Sequence, residues 1–411
     1  MRAPSASSRQ SRSGSRAIPT PFANTLQRSL DRRIAPACHI CRGKWRQAAS
    51  MTETICSTTA AERASSLTSI EVCAGAGGLA LGLEQAGFRH SVLLELDSDA
   101  CRTMRRNRPR WPVLQADLRS FRPRLAVSDR RVDLLSGGVP CPPFSVAGKQ
   151  LGQADERDLF PSMLRLVEVT APRAVLIENV KGLAQARFVD YRQQIRKHLE
   201  SLGYSASWKV LYACDYGVPQ LRPRAVLVAL HPADFDRFTW PAPLTCRATA
   251  PTVGQVLYES MTTRDWELAE AWAEAASTIA PTLCGGSRKH GGPDLGPSRA
   301  REAWSKLGVN GSGVADQVPG PGTALPVKLT VAQTALLQGF PPGWQFSGGK
   351  TSAYRQVGNA FPPPFAAAVG RSLAAALLRT ASPEASENRR PTAFPAPQPK
   401  PTTVGWATAM T

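Results

Sequence analysis

Three short segments of this 411-residue chain carry side chains suited to covalent chemistry. In Gly137-Gly138-Val139-Pro140-Cys141-Pro142-Pro143-Phe144-Ser145, a cysteine is held between prolines. A lone cysteine is ordinarily a small buried hydrophobe. Prolines on both sides mark a loop where packing explains little, and a thiolate there is a nucleophile. Glu178-Asn179-Val180 places a carboxylate at the end of an apolar run, and Gln220-Leu221-Arg222-Pro223-Arg224 puts two guanidiniums before another. Arginines at a strand edge are ordinarily solvated cations. Beside a thiol and an acid they compose a site.

A second group points to a bound cofactor. Gly75-Ala76-Gly77-Gly78 resembles a dinucleotide-binding turn, although its third glycine comes too early for G-x-G-x-x-G. Glycines let a ligand approach the backbone, and the helix that follows favours a negative group at its N-terminus. That group is a phosphate or the carboxylate of an amino-acid-like cofactor. Glu95 is placed to accept from both hydroxyls of a ribose, and Asp117 from an adenine amine. With no phosphate-loop lysine, these readers favour S-adenosylmethionine or NAD.

Such residues need a frame, and the apolar pattern supplies one. Strands are expected at 69–72, 91–94, 113–116, 132–135, 174–177, 204–212 and 225–230. Helices are expected at 79–86, 159–169 and 191–202, with an amphipathic helix at 265–275 and a C-terminal one around 365–378. This alternation predicts a doubly wound α/β fold with a mostly parallel sheet covered on both faces. Such sheets bind ligands beyond the carboxyl ends of their strands. Cys73-Ala74-Gly75, Glu95, Asp117, Pro140-Cys141 and Glu178-Asn179 all fall there.

Composition sets the partner class. The chain has 50 Lys and Arg against 31 Asp and Glu, a net charge of +19, which calls for a polyanion such as nucleic acid. Residues 1–66 hold eleven basic and three acidic side chains, and 67–380 hold 36 and 26. The Arg- and Ser-rich start reads as a basic disordered arm, similar in composition to a transit peptide, with Met51 as a second plausible start. Residues 381–411 read as a disordered tail. Nine cysteines without regular spacing indicate free thiols in a reducing compartment, and the lone Cys38-His39-Ile40-Cys41 lacks partners for zinc, so no metal is expected. No apolar run approaches the roughly 20 residues of a membrane span.

In order, the motifs are Val72-Cys73-Ala74-Gly75-Ala76-Gly77-Gly78, Glu95, Asp117, Pro140-Cys141, Glu178-Asn179-Val180, Gln220-x-Arg222-x-Arg224, Leu337-Gln338-Gly339-Phe340-Pro341 and Gln356-Val357-Gly358-Asn359-Ala360. Their combination over about residues 68–378 resembles the DNA (cytosine-5) methyltransferases, of the bacterial type II restriction–modification kind. Three positions depart from the family: Cys73 stands where Phe is common, Pro142 where Gln is common, and Gln333 where a charged residue is common.

The resemblance implies a reaction. Cys141 attacks C6 of a flipped cytosine, Glu178 engages N3 and the exocyclic amine, and Arg224 holds the 2-oxo group with Arg222 buttressing it and Glu178. It implies S-adenosylmethionine as cofactor, held by Cys73, Gly75, Gly77, Gly78, Glu95, Asp117, Pro140, Leu159 and Asn359. It divides the chain into a large domain (67–230, closed by 352–380) and a small target-recognition domain (231–351). Ser145, Gln220, Arg288, Lys289 and His290 are the candidate DNA contacts, the last three in a loop flanked by glycine pairs. Arginine outnumbers lysine 40 to 10, which favours a GC-containing target. The expected setting is a monomer in the bacterial cytoplasm, acting on double-stranded DNA and protecting it from a separate restriction endonuclease.

Rivals make different demands. An amino methyltransferase would need Asn or Asp in place of Cys141. A tRNA cytosine-5 methyltransferase of the DNA-enzyme type would carry Cys-Phe-Thr. A non-catalytic repressor would need an N-terminal helix-turn-helix, and residues 1–66 show no amphipathic period.

Overall fold

Seven strands with largely apolar interiors form one sheet in the computed structural model, which describes residues 67–123, 132–140, 158–286 and 292–378. The strands are β1 (Leu67–Val72), β2 (Phe88–Glu95), β3 (Val113–Gln115), β4 (Leu134–Gly137), β5 (Ala174–Val180), β6 (Ser205–Tyr212) and β7 (Pro223–Leu230). Their spatial order is β3-β2-β1-β4-β5-β7-β6. The first four pairings are parallel, whereas β7 runs antiparallel to both β5 and β6. The chain leaves β6, turns through residues 213–222 and threads back between β6 and β5. Residues 225–230 of β7 are all buried, as a strand covered on both faces requires.

Helices α1 (Gly78–Gln85), α2 (Ser98–Asn107), α3 (Phe160–Thr170) and α4 (Val189–Ser201) fall within this alternation. Sequence reading overlooks α2, because arginines dominate its composition. Its buried face is only Ala100, Cys101, Thr103 and Met104, and Asp97 caps its N-terminus by accepting from the Asp99 and Ala100 amides. The region 231–351 supplies a short turn of helix, α5 (Pro232–Phe235), then α6 (Val253–Thr262), α7 (Ala269–Ala275), α8 (Ser298–Ser305) and α9 (Val331–Leu337). The helix expected over 265–275 begins at Ala269, because Asp265 turns the chain with φ of 52°. Gln333 closes a capping box with Thr330 at the start of α9 and reaches Ser260 on α6, so a neutral amide fits where the family often carries a charge.

Two last helices, α10 (Lys350–Asn359) and α11 (Pro363–Leu378), bring the C-terminal motif to the sheet. Helix α11 packs on α1 with backbones nearly touching. A Cβ on Gly82 would stand 2.4 Å from that of Ala366, and one on Gly370 would stand 2.8 Å from that of Ala86. One hydrophobic cluster joins Leu81, Met104 and Trp111 to Trp272, Trp304 and Leu329, so the region 231–351 shares a core with the first strands and helices. Among the described residues, no helix is long and apolar enough to cross a membrane.

Candidate active site

The carboxyl ends of β1, β2, β4 and β5 open into a cavity of about 710 Å³. Cys73, Gly75, Glu95, Pro140, Glu178, Arg224 and Asn359 line it, so these expected site residues share one space. Cys141, Ser145, Arg288, Lys289 and His290 lie outside the described residues. The described residues on either side of 141–157 meet each other. Val139 is fully buried, and the Pro140 carbonyl accepts from the Leu159 amide at 3.3 Å. The chain thus reaches and leaves residues 141–157 from one place.

Glu178 and Arg224 form a buried pair on the β5 side of the cavity. Arg224 Nε stands 2.6 Å from Glu178 Oε1, an ion pair rather than an aligned hydrogen bond, and both side chains are about nine-tenths buried. Low polarity around the pair strengthens its attraction. Gly138 makes room for the carboxylate, since a Cβ there would stand 3.1 Å from Glu178 Oε2. Beside it, Asn179 donates from Nδ2 to the Val139 carbonyl at 2.9 Å. This ties the end of β5 to the segment that leads into Cys141.

Glu95 organises the opposite wall. Its Oε2 accepts from the Gly75 amide at 2.8 Å and its Oε1 from the Asp97 amide at 2.7 Å. Each oxygen keeps a lone pair that a ribose hydroxyl can use. Cys73 turns the chain here with φ of 53°, a left-handed value uncommon for a residue with a Cβ. Burial, then the charges of Glu95, Asp117 and Glu71, push the Cys73 thiol far up, so it stays protonated and is a poor nucleophile.

Other expected residues stand elsewhere. Gly77 and Gly78 do not line the cavity. Gly77 has φ of 82° and lies against α2, where a Cβ would stand 2.8 Å from the Trp111 ring; one on Gly78 would stand 2.3 Å from the Phe361 carbonyl. Their small size serves packing rather than ligand approach. Asp117 is held at the surface by Arg119 at 2.7 Å, and these hydrogen bonds keep its carboxyl below the usual range. Reading an adenine amine would require it to leave Arg119. Leu159 precedes α3 and packs partly against the core.

Gln220 is no surface DNA contact. It is fully buried, its Oε1 accepting from the Leu283 amide and its Nε2 donating to Gln338 and Leu337. Arg222 is buried as deeply and does not buttress Glu178 directly. It donates to the carbonyls of Leu283, Gly358 and Ala360 at 2.7–2.8 Å, clamping two remote segments beside the cavity. Asn359 does line the cavity, and its Nδ2 donates to the Gly286 carbonyl at 3.1 Å, fixing the residue just before 287–291.

Sequence reading missed Asp97, Arg355 and Glu71 in the cavity wall. Arg355 Nη2 stands 3.5 Å from Asp97 Oδ2. Helix α10 thereby meets the loop after β2. Glu71 is the one acid in Leu67–Val72, a strand whose every residue is buried, and that anomaly was its signal. Counting the wall, four carboxyls (Glu71, Glu95, Asp97, Glu178) face two guanidiniums (Arg224, Arg355), both ion-paired. The cavity suits a ligand with an excess of positive charge.

Residues 67–375 match the family model for C-5 cytosine-specific DNA methylase. The chain is 52% identical over 315 residues to the type II methyltransferase M.NaeI of Lentzea aerocolonigenes, covering 76% of each chain. It is 48% identical to the type II methyltransferase M.NgoMIV of Neisseria gonorrhoeae, covering 76% of this chain and 98% of that one. The fold is shared with a prophage-encoded E. coli protein described as a DNA modification methyltransferase (TM-score 0.54, 23% identity, 75% of this chain and 99% of that one). It is also shared with Spodoptera frugiperda DNMT2 (TM-score 0.51, 15% identity, 75% and 99%).

Proposed function

The chain belongs to the C-5 cytosine-specific DNA methylase family, and from that premise we propose that this DNA (cytosine-5) methyltransferase works through a covalent Cys141–C6 adduct. Its methyl donor in this reading is S-adenosylmethionine, and its substrate a cytosine flipped out of a specific duplex sequence. Its role is to protect that sequence from a separate restriction endonuclease, with the enzyme acting as a monomer. The observation that carries the reading is the Glu178–Arg224 pair, buried at the strand ends in the cavity that Pro140 also lines. The tRNA-directed alternative has less behind it, since the matching family model is one for DNA methylases and the relatives at 52% and 48% identity are type II methyltransferases.

The wall fits the donor. A sulfonium and an ammonium outweigh one carboxylate, matching the excess of acids, and Glu95 has spare lone pairs for ribose hydroxyls. Cys73, Gly75, Glu95, Pro140 and Asn359 would hold it, while Leu159, Gly77 and Gly78 support the wall from behind. Bound there, S-adenosylmethionine supplies an electrophilic methyl group.

The chain's own residues do the rest. Cytosine C5 is a poor nucleophile until Cys141 Sγ adds to C6 and makes the ring an enamine. Glu178 shares a proton with ring N3 and accepts from the exocyclic amine, offsetting charge as the adduct forms. Arg224 keeps the Glu178 carboxylate oriented and donates to the 2-oxo group. Once C5 has taken the methyl group, its proton passes to water and Cys141 departs as a thiolate, which restores the aromatic ring. Since the target atom is inaccessible in a stacked duplex, the base enters the cavity by flipping. The small region 231–351 carries target recognition, with Arg288, Lys289, His290 and Ser145 as DNA contacts.

The test is a trapping experiment. A duplex with 5-fluorocytosine at the target position, found by bisulfite sequencing of DNA from cells expressing the protein, should form a stable adduct through Cys141. Full methyl transfer by Cys141→Ala would refute the mechanism.

A further inference from the structure

The strand end that carries Glu178 is followed by a cation that has no part in the reaction above. Along Glu178-Asn179-Val180-Lys181-Gly182, every residue but Lys181 lines the cavity, so Lys181 stands at its mouth. The arginines beside the cavity are already spent: Arg224 on Glu178, Arg355 on Asp97, and Arg222 on interior carbonyls. Lys181 is exposed and forms no ion pair among the described residues. Its ammonium group stands instead 5.8 Å from the centre of the Tyr212 ring. Tyr212 ends β6, which lies beyond β7 and runs parallel to β5, so both residues sit at the same edge of the sheet. An aromatic face steadies a cation without neutralising it. The turn that presents Lys181, residues 181–184, is held from below. Leu183 is fully buried, and Arg192 Nη1 donates to the carbonyls of Leu183 and Gln185 at 2.6 and 2.9 Å. The cation is therefore preorganised, and little ordering remains to be done when an anion arrives.

A cation without a counter-ion, at the mouth of an acid-rich cavity, suits a ligand whose negative charge stays outside. A flipped nucleotide is such a ligand. Its neutral base can enter, while its phosphodiester is kept out by the carboxyls of the wall. At about 3.3 Å per residue, Lys181 lies at most about 10 Å along the chain from Glu178. That is comparable to the span from the pairing edge of a cytosine to its own backbone phosphate. Between them Val180 lines the cavity and is 51% exposed, an apolar surface where the sugar would pass. Resting on the base-flipping reading above, we propose that Lys181, steadied on the Tyr212 ring, holds a phosphate that flanks the target cytosine. Base, sugar and phosphate of one nucleotide then meet Glu178, Val180 and Lys181 in turn. Lys181 reads no sequence; it positions the ring by fixing the strand that carries it.

The experiment measures binding of the full-length chain, with S-adenosylhomocysteine present, to a duplex carrying the target sequence. In two further duplexes the phosphate on the 5′ or the 3′ side of the target cytosine is replaced by an uncharged methylphosphonate. Lys181→Met keeps most of the stem and removes the charge. At low salt it should bind the natural duplex about tenfold more weakly, the scale of one charge-assisted hydrogen bond. The slope of log affinity against log salt should fall by about one. Wild type should lose a similar factor on one of the two methylphosphonate duplexes, and Lys181→Met should lose nothing further on that one. Lys181→Arg should keep most of the affinity. Tyr212→Leu should lose about two- to fivefold, the scale of an exposed cation–π contact. Melting temperature and S-adenosylhomocysteine affinity should be unchanged in Lys181→Met. Equal binding of the natural duplex by wild type and Lys181→Met overturns the proposal, as do losses that simply add on both methylphosphonate duplexes. Unchanged binding by Tyr212→Leu overturns the part given to the ring. A lowered melting temperature with lost cofactor affinity in Lys181→Met overturns the proposal in favour of a purely structural role. Failure of wild type itself to form an adduct on the 5-fluorocytosine duplex instead overturns the base-flipping reading beneath it.

Discussion

Glu178 Oε1 and Arg224 Nε meet at 2.6 Å across the seam between β5 and β7, the place where the sheet changes from parallel to antiparallel. Arg224 lies opposite Val180, two residues beyond Glu178, so the register itself sets the two side chains side by side. The reversal of β7 is what places a cation among its first residues at the same edge as the carboxylates that end the parallel strands. Each partner also desolvates the other, so removing one leaves the other buried and uncompensated.

Glu178→Gln should therefore keep the shape of the cavity and lose its chemistry. We expect turnover to fall by about two to three orders of magnitude, the scale of removing one preorganised charge-stabilising group. Affinity for S-adenosylhomocysteine should stay near wild type, because Glu95 and Gly75 are untouched. Single-turnover methyl transfer together with equilibrium binding of the product checks both halves. A large loss of cofactor affinity would move Glu178 into the cofactor's own site.

Arg222→Ala should act on the fold. The carbonyls of Leu283 and Gly358 lose the Arg222 donor, and that of Ala360 keeps only Gln338 Nε2. Stripping this buried fork of its guanidinium should destabilise the protein by about 3–5 kcal/mol. Urea denaturation should show the midpoint falling at unchanged slope. Arg222→Lys should recover only part of the loss, since an ammonium cannot span the same fork of acceptors.

These two arginines also show what a sequence reveals and what it hides. The strand ends were legible because runs such as 225–230 are wholly apolar and bury both faces. Glu178 and Arg224 were then placed by their distance from those runs. Arg222 and Gln220 were not, because residue type does not say whether a polar group meets DNA or a buried carbonyl. The carbonyl partners of Arg222 lie 61 to 138 residues away in the chain. Gly77 and Gly78 failed for a related reason. A glycine that admits a ligand and one that admits a neighbouring ring look alike in sequence. Helix α2 was hidden by composition, its four buried residues being outnumbered by polar ones.

Acid should weaken the fold through His90. Its ring is buried between the Ser69 hydroxyl and the Ala80 carbonyl and meets Trp111 edge-on. Burial lowers its pKa to about 4. The unfolded chain, with an ordinary histidine near 6.5, binds more protons than the native one between those values. Stability is thus complete above about pH 6.5 and declines as pH falls toward 4, by about 2 kcal/mol at pH 5 from this group alone. Urea melts at pH 7.5 and pH 5 should show that loss in wild type. His90→Gln, which cannot ionise, should show correspondingly less of it, whatever its stability at neutral pH.

Asn179 offers a test of how the nucleophile is delivered. Its Nδ2 holds the Val139 carbonyl at 2.9 Å, and its Oδ1 accepts from the Val180 amide, so one side chain joins β5 to the strand-four exit. Val139 is two residues before Cys141, and Pro140 between them restricts the backbone that transmits its position. Asn179→Ala removes this tie while leaving Glu178, Arg224 and Glu95 in place. The buried Val139 carbonyl loses its donor, a cost of about 1–3 kcal/mol that the fold should survive. Misplacing a reacting atom by about 1 Å costs on the order of a hundredfold in rate. The rate of trapping on a 5-fluorocytosine duplex should fall on that scale. Binding of S-adenosylhomocysteine should stay within about twofold of wild type, well below the tenfold step that about 1.4 kcal/mol represents. An unchanged trapping rate would show that residues 141–157 position Cys141 without help from β5.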